Sequence, residues 1–455
     1  MAKPKFDYDL IVIGSGAAGS VAAEIAARAG LKTAVVEAEM LGGSAPNLSD
    51  VPVGALLEAA HSFAKIQADA NLGLRTANLG FNYPSVKNWK ELAVRRSGAS
   101  ATGDYLTSRR VEVVRGRAHF ISRNEISIGR RHLSSEKFLL ATGSRNLIPD
   151  IIGLENVDYL TPATAINLTK PPKTLAIVGA GATGVQFAEL LAIFGTKVYL
   201  FEAKKRILSE FDDEVSRELV MVFANRGVEI LTSSRVVEAA SDGPLTRVKF
   251  LRGETEHTVK VEKILLAAGR EPNTDLGLEN AGVEYDKTGI KVNEFLQTTS
   301  RNIWAAGDVL GRFANTHAAI YEARIAAHNL TSRDKQAASY GAVPRVVWTQ
   351  PEVATTGLTE NDLVREDVKF HRSLVANTAV ARANIANFSA GFAKILTDQR
   401  GVILGATVVA PHAAETINEL SLAIRAGLTA YQIAETLHPF GSWSEAIRLA
   451  CAKIK

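Results

Sequence analysis

Two glycine-rich segments have the residue types and the spacing needed to hold a phosphate group. The first reads Gly14-Ser15-Gly16-Ala17-Ala18-Gly19, and the second reads Gly179-Ala180-Gly181-Ala182-Thr183-Gly184. In such a loop the first glycine permits a tight turn and the second lets the backbone approach a pyrophosphate. The third glycine allows close helix–strand packing, and the N-terminus of the helix faces the anionic phosphates. The chain therefore carries two predicted nucleotide-binding loops.

An acidic residue follows each loop at the same spacing. Glu37 and Glu202 each end the next apolar strand, 23 residues after the first glycine of the loop (37 − 14 and 202 − 179). A carboxylate roughly 20 residues beyond the first glycine is suited to accept hydrogen bonds from a ribose. Because strand, loop, helix, strand and acid occur together twice, the pattern predicts two dinucleotide sites.

The elements that position these loops form an internal repeat. Apolar runs precede both loops, helical patterns follow them, and each half closes on a strand that ends in Ala-Thr-Gly (138–144) or Ala-Ala-Gly (264–269). Helical spacing is also predicted over 55–70 and 89–113. From residue 340 onward strand-like runs precede helices, which is typical of an α+β module. The predicted fold is α/β, with two Rossmann-like dinucleotide-binding domains and a C-terminal α+β domain.

Composition narrows the function classes. The 455 residues suggest about three domains, and a net charge of +4 with 22% charged residues gives no basic surface for nucleic acid. The run Lys204-Lys205-Arg206 is interpreted as a solvated turn. Since no apolar stretch approaches the ~18 residues of a membrane span and residues 1–5 lack the apolar core of a signal peptide, we expect a cytoplasmic protein. The single cysteine, Cys451, and nine unclustered histidines predict neither a disulfide nor a metal site.

Further motifs give these loops a family context. Ala306-Gly307-Asp308 follows a short buried strand, and residues 351–360 read Pro-Glu-Val-Ala-Thr-Thr-Gly-Leu-Thr-Glu. Together with the two loops, they make residues 8–452 similar to the flavoprotein disulfide reductases, the family of dihydrolipoamide dehydrogenase, glutathione reductase and mercuric reductase. The resemblance implies that the first loop and Glu37 bind the adenosine half of FAD, and that Asp308 binds its ribityl chain. It also implies NAD(H), with NADP(H) as an alternative, at the second loop and Glu202.

The same resemblance implies the domain limits and the remaining cofactor-binding residues. The FAD-binding domain would comprise 1–155 and 280–338, the NAD(P)-binding domain 156–279, and the dimerisation domain 339–455, so that a homodimer is expected. Further cofactor-binding residues would be Gly43, Ser44, Thr142, Gly143 and Gly269.

The sequence departs from the family pattern where the family does its redox chemistry. The family reads Gly-Gly-Thr-Cys-x-Asn-x-Gly-Cys, whereas this chain has Ala45 and Asp50 at the two cysteine positions. The lysine that follows in the family is Gly54, and its glutamate partner is Gln186. In the C-terminal His-Pro-Thr-x-x-Glu motif the histidine is Phe440, while the glutamate is retained as Glu445.

These replacements remove the thiolate relay and its proton shuttle together. The sequence therefore predicts an FAD-dependent NAD(P)H oxidoreductase that passes electrons directly from the flavin to a small non-disulfide acceptor, such as a quinone. The alternative is a catalytically silent, FAD-binding dimeric scaffold or a redox-responsive binding protein. No catalytic residue is identified. Asp50 is a candidate acid/base or a helix cap, His438 is a substitute base or a structural histidine, and Glu445 is a third candidate.

Overall fold

The structure, a computed structural model, describes residues 6–68, 72–75 and 77–454. Residues 1–5, which bear on the expected lack of a signal peptide, and residue 70, the predicted end of a helix, lie outside this description. The chain divides into two compact units. One contains Met1–Ala55, Lys87–Leu147 and Gly269–Ala338, and the other contains Leu56–Val86, Ile148–Ala268 and Ser339–Lys455.

The strands, in chain order, are β1 (Tyr8–Ile13), β2 (Thr33–Glu37), β3 (Val111–Arg115), β4 (Ala118–Ser122), β5 (Glu125–Ile128), β6 (Arg131–Leu140), β7 (Ser144–Asn146), β8 (Tyr159–Leu160), β9 (Thr174–Val178), β10 (Lys197–Phe201), β11 (Val228–Leu231), β12 (Ser234–Asp242), β13 (Leu245–Arg252), β14 (Thr255–Val261), β15 (Lys263–Leu266), β16 (Arg270–Pro272), β17 (Tyr285–Asp286), β18 (Gly289–Ile290), β19 (Ile303–Ala305), β20 (Arg345–Val347), β21 (Glu352–Gly357), β22 (His371–Ala376), β23 (Phe392–Thr397) and β24 (Ile403–Ala410).

The α-helices are α1 (Ala17–Arg28), α2 (Ser44–Asn47), α3 (Asp50–Ala68), α4 (Tyr83–Arg96), α5 (Thr102–Ser108), α6 (Pro162–Ala165), α7 (Ala182–Ile193), α8 (Asp213–Ala224), α9 (Thr316–Thr331), α10 (Glu360–Arg365), α11 (Ala381–Ile385), α12 (Ala413–Ala426), α13 (Ala430–Glu435) and α14 (Glu445–Ala452).

The first unit is built on a sheet with the strand order β3-β2-β1-β6-β5-β4. Strand β19 also belongs to this sheet and pairs with residues 138–140 of β6. The strands β1, β2, β3, β6 and β19 are parallel, whereas β4 and β5 are antiparallel additions. The apolar residues 10–13 of β1 are buried, as expected for a parallel strand covered on both faces. Helix α1 packs against α9, and the contact is rich in buried alanines, which let two helices approach closely.

The second unit contains the other nucleotide-binding sheet, with five parallel strands in the order β11-β10-β9-β15-β8. An antiparallel sheet of β12, β13 and β14 belongs to the same unit. In both parallel sheets the glycine loop leaves the carboxyl end of the first strand. The acidic residue lies at the carboxyl end of the neighbouring strand, so that both reach one edge of the sheet.

The C-terminal part of the second unit is the predicted α+β module. Its antiparallel sheet has the order β20-β21-β24-β23-β22, and α12 and α14 pack against it. The observed architecture confirms the predicted fold class.

The segment predicted as helical over 89–113 differs in the structure. Helix α4 ends at Arg96, α5 covers Thr102–Ser108, and the chain then enters strand β3. Arg110 has a positive φ of 63°, which ends the helical run, and the β-branched residues that follow pair with β2. The apolar spacing was helical, but strand pairing determined the last part of the segment.

Candidate functional site

The first glycine loop joins β1 to α1 through a backbone that favours glycine. Gly14 has φ of 101°, and a Cβ at this position would collide with the carbonyl oxygen of Ala141. A Cβ on Gly19 would likewise collide with the Gly14 carbonyl oxygen. The loop therefore closes tightly before α1 begins at Ala17, as a phosphate-binding turn requires.

Glu37 is held by this loop. The backbone N–H and the hydroxyl of Ser15 donate to Glu37 Oε2 at 2.8 and 2.6 Å, and the Glu39 N–H donates to Oε1 at 2.8 Å. A carboxylate has roughly four acceptor positions. The side chain is buried and keeps acceptor capacity for a ribose hydroxyl in the orientation that the loop imposes.

The second glycine loop repeats this geometry between β9 and α7. Gly179 has φ of 105°, and a Cβ there would collide with the carbonyl oxygen of Ala267. Glu202 accepts the Ala180 N–H at 3.0 Å through Oε2 and the Lys204 N–H at 2.9 Å through Oε1. Each oxygen keeps a further acceptor position, which suits the two neighbouring hydroxyls of a ribose.

The two loops differ at their middle glycine. Gly43 has φ of 69°, and a Cβ on it would lie 2.6 Å from Gly16 Cα. The Gly42 N–H donates to the Ser15 hydroxyl at 3.2 Å, and Ser44 begins α2. At Gly181, the counterpart of Gly16, a Cβ would meet no atom of the described residues within 4 Å. The first loop is thus covered by the turn at 42–44, and the second loop is open at this position.

The basic run after Glu202 is engaged in its own turn. Arg206 forms an ion pair with Asp213 and donates to the Ser209 and Phe211 carbonyls, each at 3.2 Å. The Lys204 ammonium donates to the Ser209 hydroxyl at 3.0 Å. Two of the three basic side chains therefore stabilise the 204–213 turn, in agreement with the interpretation from sequence.

Asp308 follows β19 and is oriented by two residues that the sequence analysis did not select. The Ser144 hydroxyl donates to Asp308 Oδ2 at 2.7 Å, and Arg270 Nε lies 3.6 Å from the same oxygen. Arg270 also donates to the hydroxyl and to the carbonyl of Ser144, both at 2.7 Å. The internal repeat could have indicated both residues, since Ser144 follows Gly143 and Arg270 follows Gly269 at the ends of the two halves.

The predicted residues Thr142, Gly143 and Gly269 belong to two segments that meet in the first unit. The Thr142 hydroxyl donates to the Asn273 carbonyl at 2.7 Å, and the Asn273 N–H donates to the Gly143 carbonyl at 3.0 Å. The Gly269 carbonyl accepts the Leu147 N–H at 3.0 Å, beside the antiparallel pair β7 and β16. These bonds join the segments around Ser144 and Arg270, the partners of Asp308. Nearby, the Gly307 N–H donates to the buried Glu322 carboxylate at 2.7 Å.

The positions that the resemblance assigns to the family's cysteines and lysine hold Ala45, Asp50 and Gly54. Ala45 lies in α2, and Gly54 faces open space in α3. Asp50 is the first residue of α3, is exposed, and accepts a hydrogen bond from the Thr316 hydroxyl at the start of α9. A carboxylate at a helix N-terminus is favoured by the helix dipole. Asp50 thus lies in the first turn of α3 with its carboxylate bonded to α9, and both of its roles stay predictions.

His438 is engaged on both ring nitrogens. Nδ1 lies 2.8 Å from the Thr436 carbonyl oxygen, and Nε2 lies 3.0 Å from Glu419 Oε1, with the side chain 4% exposed. Both ring nitrogens are therefore engaged by oxygen atoms of the chain itself. The geometry supports the structural reading of His438.

Glu445, the third candidate, is the first residue of α14, and one of its carboxylate oxygens lies 3.6 Å from Arg448. Phe440, at the position of the family's histidine, is 85% exposed.

Cys451, the only cysteine in the sequence, lies in α14 and is 1% exposed. Burial raises the pKa of its thiol to about 12, and the Glu419 carboxylate adds to this shift. Because the thiolate is the reactive form, this sulfur is inert near neutral pH.

One acidic cluster among the described residues has the spacing of a metal site. Asp212, Glu214 and Glu360 surround the Lys394 ammonium, which lies 3.4, 3.1 and 2.5 Å from them and belongs to a fully buried side chain. The three carboxylates of the cluster therefore balance the charge of a buried lysine.

None of the described helices combines the length and the apolar character that a membrane crossing requires.

Comparison with known proteins identifies the family. Residues 8–323 match the family described as pyridine nucleotide-disulphide oxidoreductase, and residues 343–451 match its dimerisation domain. The chain belongs to this family. This oxidoreductase is 33% identical to the dihydrolipoyl dehydrogenase of Geobacillus stearothermophilus over 442 residues, which cover 95% of the chain and 93% of the relative. It is 31% identical to the mercuric reductase of Lysinibacillus sphaericus over 447 residues, 98% of the chain and 82% of the relative.

A solved structure supports the same family assignment. The HOCl-induced flavoprotein disulfide reductase RclA from Escherichia coli matches this oxidoreductase with a TM-score of 0.88 and 25% identity, covering 98% of the chain and all of that structure. The family comprises flavoproteins that use FAD and pyridine nucleotides. In this chain both glycine loops have the tight turn, and Glu37 and Glu202 are each bonded to their own loop.

Proposed function

We propose that this chain is an FAD-dependent NAD(P)H oxidoreductase that passes electrons to a small non-disulfide acceptor, such as a quinone, without a protein thiol. The observation that carries the proposal is the burial of Cys451, because no other sulfur nucleophile exists in the sequence. The second nucleotide loop nevertheless keeps its glycines and its carboxylate, Glu202, which an FAD-binding scaffold would not require.

The residues divide into two cofactor sites. We assign FAD to the first loop, with Glu37 on the adenosine ribose and Asp308 on the ribityl hydroxyls, in a domain of residues 1–155 and 280–338. Gly43, Ser44, Thr142 and Gly143 line the same site in this proposal, whereas Gly269, which follows the closing strand of the second repeat, is assigned to the coenzyme domain. When bound, FAD supplies the ability to accept a hydride and to release two electrons. The chain's contribution is to orient the cofactor and to leave its acceptor side free of a competing thiol.

The second loop, in a domain of residues 156–279, is assigned to the nicotinamide coenzyme, with NADH preferred. The Glu202 carboxylate accepts ribose hydroxyls but repels a 2′-phosphate. The ion pair of Arg206 with Asp213 supports this preference, because it engages one of the three basic groups that follow Glu202 with a carboxylate of its own turn.

The reaction balances without sulfur. NADH gives up a hydride, a quinone takes up two electrons and two protons, and the second proton comes from solvent. The products are NAD⁺ and the hydroquinone. A flat acceptor of low polarity is favoured because Ala45, Gly54 and Phe440 replace cysteine, lysine and histidine.

We further propose a homodimer formed through residues 339–455. Leu437 is 96% and Phe440 85% exposed in the single chain, and large apolar side chains so exposed are typical of an interface. Sedimentation at micromolar protein concentration should give a dimer, and a monomer would contradict this assignment.

The central experiment is anaerobic. Mixing the FAD-loaded protein with NADH should bleach the flavin, and a benzoquinone should restore the colour with one hydroquinone formed per NADH. Lipoamide and glutathione disulfide should give no turnover, and Cys451→Ala should keep the wild-type rate. If NADH and NADPH both bind and neither bleaches the flavin, the oxidoreductase proposal fails and the scaffold alternative replaces it.

A further inference from the structure

The segment that follows β20 is attached to the helix of the second glycine loop. The Trp348 N–H donates to Gln186 Oε1 at 3.3 Å, and the Gln350 N–H donates to Glu189 Oε1 and Oε2 at 3.0 and 3.1 Å. Gln186 and Glu189 lie three residues apart and therefore on the same face of α7. Two successive turns of the helix thus fix the backbone around Trp348.

Glu189 is the centre of a buried charge network. Its side chain is fully buried, forms an ion pair with Arg226, and lies 3.0 Å from His61 Nε2. Burial lowers the pKa of His61 to about 4, with repulsion from Arg226 as the second cause, so the imidazole is neutral near pH 7. The neutral ring then donates its Nε2–H to the carboxylate. Removing a carboxylate from water is costly unless it is fully paired, and here three donors pair it.

The hydrogen bonds from α7 hold the backbone at Trp348, whereas the Trp348 side chain is partly exposed to solvent. The Trp348 side chain is 47% exposed, although the adjacent Val347 and Thr349 are fully buried. A rigid backbone that presents an aromatic face loses little conformational entropy when a ligand contacts it, and aromatic residues in such positions contribute strongly to binding.

The position of Trp348 indicates which part of a ligand it meets. In the proposed coenzyme site, the loop of Gly179–Gly184 would face the pyrophosphate, and Glu202, after the neighbouring strand β10, would bind the adenosine ribose. Gln186 lies only about 6 Å along the helix axis beyond Ala182, the first residue of α7. The nicotinamide half is the part of the dinucleotide that the loop and Glu202 do not hold, and Trp348 is an exposed aromatic residue tied by Gln186 to the second turn of α7.

We propose that the Trp348 indole forms an aromatic wall against the nicotinamide ring of the coenzyme bound at the second loop. This inference rests on the proposed function, since it requires a dinucleotide at that loop. A flat nicotinamide gains dispersion and quadrupole contacts from the indole face, and the cationic ring of NAD⁺ gains a cation–π attraction in addition.

The test compares two ligands that differ only by the nicotinamide group. Calorimetric titration of the FAD-loaded protein with NAD⁺ and with ADP-ribose should show that Trp348→Ala raises the Kd for NAD⁺ about three- to tenfold and leaves the Kd for ADP-ribose unchanged. Trp348→Phe should lie between the wild type and the alanine variant. Tyr431→Ala, which removes a 68% exposed aromatic side chain from α13, is the matched control and should change neither value.

Each result decides the inference. Equal weakening of both ligands, or no weakening of either, in Trp348→Ala would overturn the aromatic wall while leaving the coenzyme site in place. Wild-type protein that binds neither ligand would remove the coenzyme site, and with it both the proposed function and this inference. A structural defect in the variant would reduce ADP-ribose binding as well, so it cannot imitate the expected selective loss.

Discussion

Glu37 and Glu202 accept the same hydrogen bond in two different halves of the chain. Each carboxylate binds the backbone N–H of the residue after the first glycine of its loop, at 2.8 Å from Ser15 and 3.0 Å from Ala180. The loop and the carboxylate therefore orient one another before a nucleotide is present. Such preorganisation reduces the ordering cost of binding.

We expect Gly14→Ala to lose FAD. An alanine there would adopt φ near 101° and clash with the Ala141 carbonyl oxygen, so the loop must open. The purified variant should be colourless, or its FAD affinity should fall at least tenfold by fluorescence titration of the apoprotein. Gly80→Ala is the control, because a Cβ at Gly80 meets no described atom within 4 Å, and it should stay yellow. A yellow Gly14→Ala protein with unchanged affinity would contradict the site.

Glu202→Ala should narrow the preference for NADH over NADPH. Without the carboxylate the hydrogen bonds to the ribose are lost and the repulsion of a 2′-phosphate disappears, so NADH should weaken about tenfold while NADPH improves. Stopped-flow flavin reduction with each coenzyme gives the ratio. The exposed Glu229→Ala on β11 is the matched control. A wild-type preference for NADPH would refute the role of Glu202.

Lys394→Met should destabilise the second unit severely. The substitution leaves Asp212, Glu214 and Glu360 without the ammonium that they surround, and breaking a buried pair from one side costs about 3–5 kcal/mol. Urea unfolding should show the loss. Lys260→Met removes an exposed partner of Asp242, where solvent screens the pair, and should leave the urea midpoint almost unchanged. Equal stability of the two variants would mean that the buried cluster contributes little.

Acid should destabilise the protein through His61. Its folded pKa of about 4 lies below the ordinary value of 6.5, because burial and then Arg226 disfavour the cation. Between these values the unfolded chain binds more protons, so the free energy of unfolding falls as the pH is lowered through this window and is unaffected by this group above it. In the His61→Gln variant, the urea midpoint should depend less steeply on pH than in the wild type, over the range between about pH 6.5 and pH 4. An unchanged slope would assign the acid sensitivity to other groups.

Features formed by residues close together in the sequence could be predicted, and contacts between distant segments could not. Both loops and both acids were found from sequence because their spacing is short and repeated, and the buried apolar strands gave the fold class. Glu189, His61 and Arg226 escaped prediction, since they come from three distant segments and no sequence spacing joins them. The helix predicted over 89–113 was too long because no proline separates α5 from β3 and tertiary strand pairing decided the state of residues 111–113.

The contact of Gly43 with Gly16 has a kinetic consequence. If the first loop holds FAD as proposed, we expect slow release of the cofactor, because the turn at 42–44 lies against that loop and is hydrogen-bonded to Ser15. The loop at Gly181 has no such cover. On the proposed assignment, we therefore expect FAD to stay bound through many turnovers and the coenzyme at the second loop to exchange in each one.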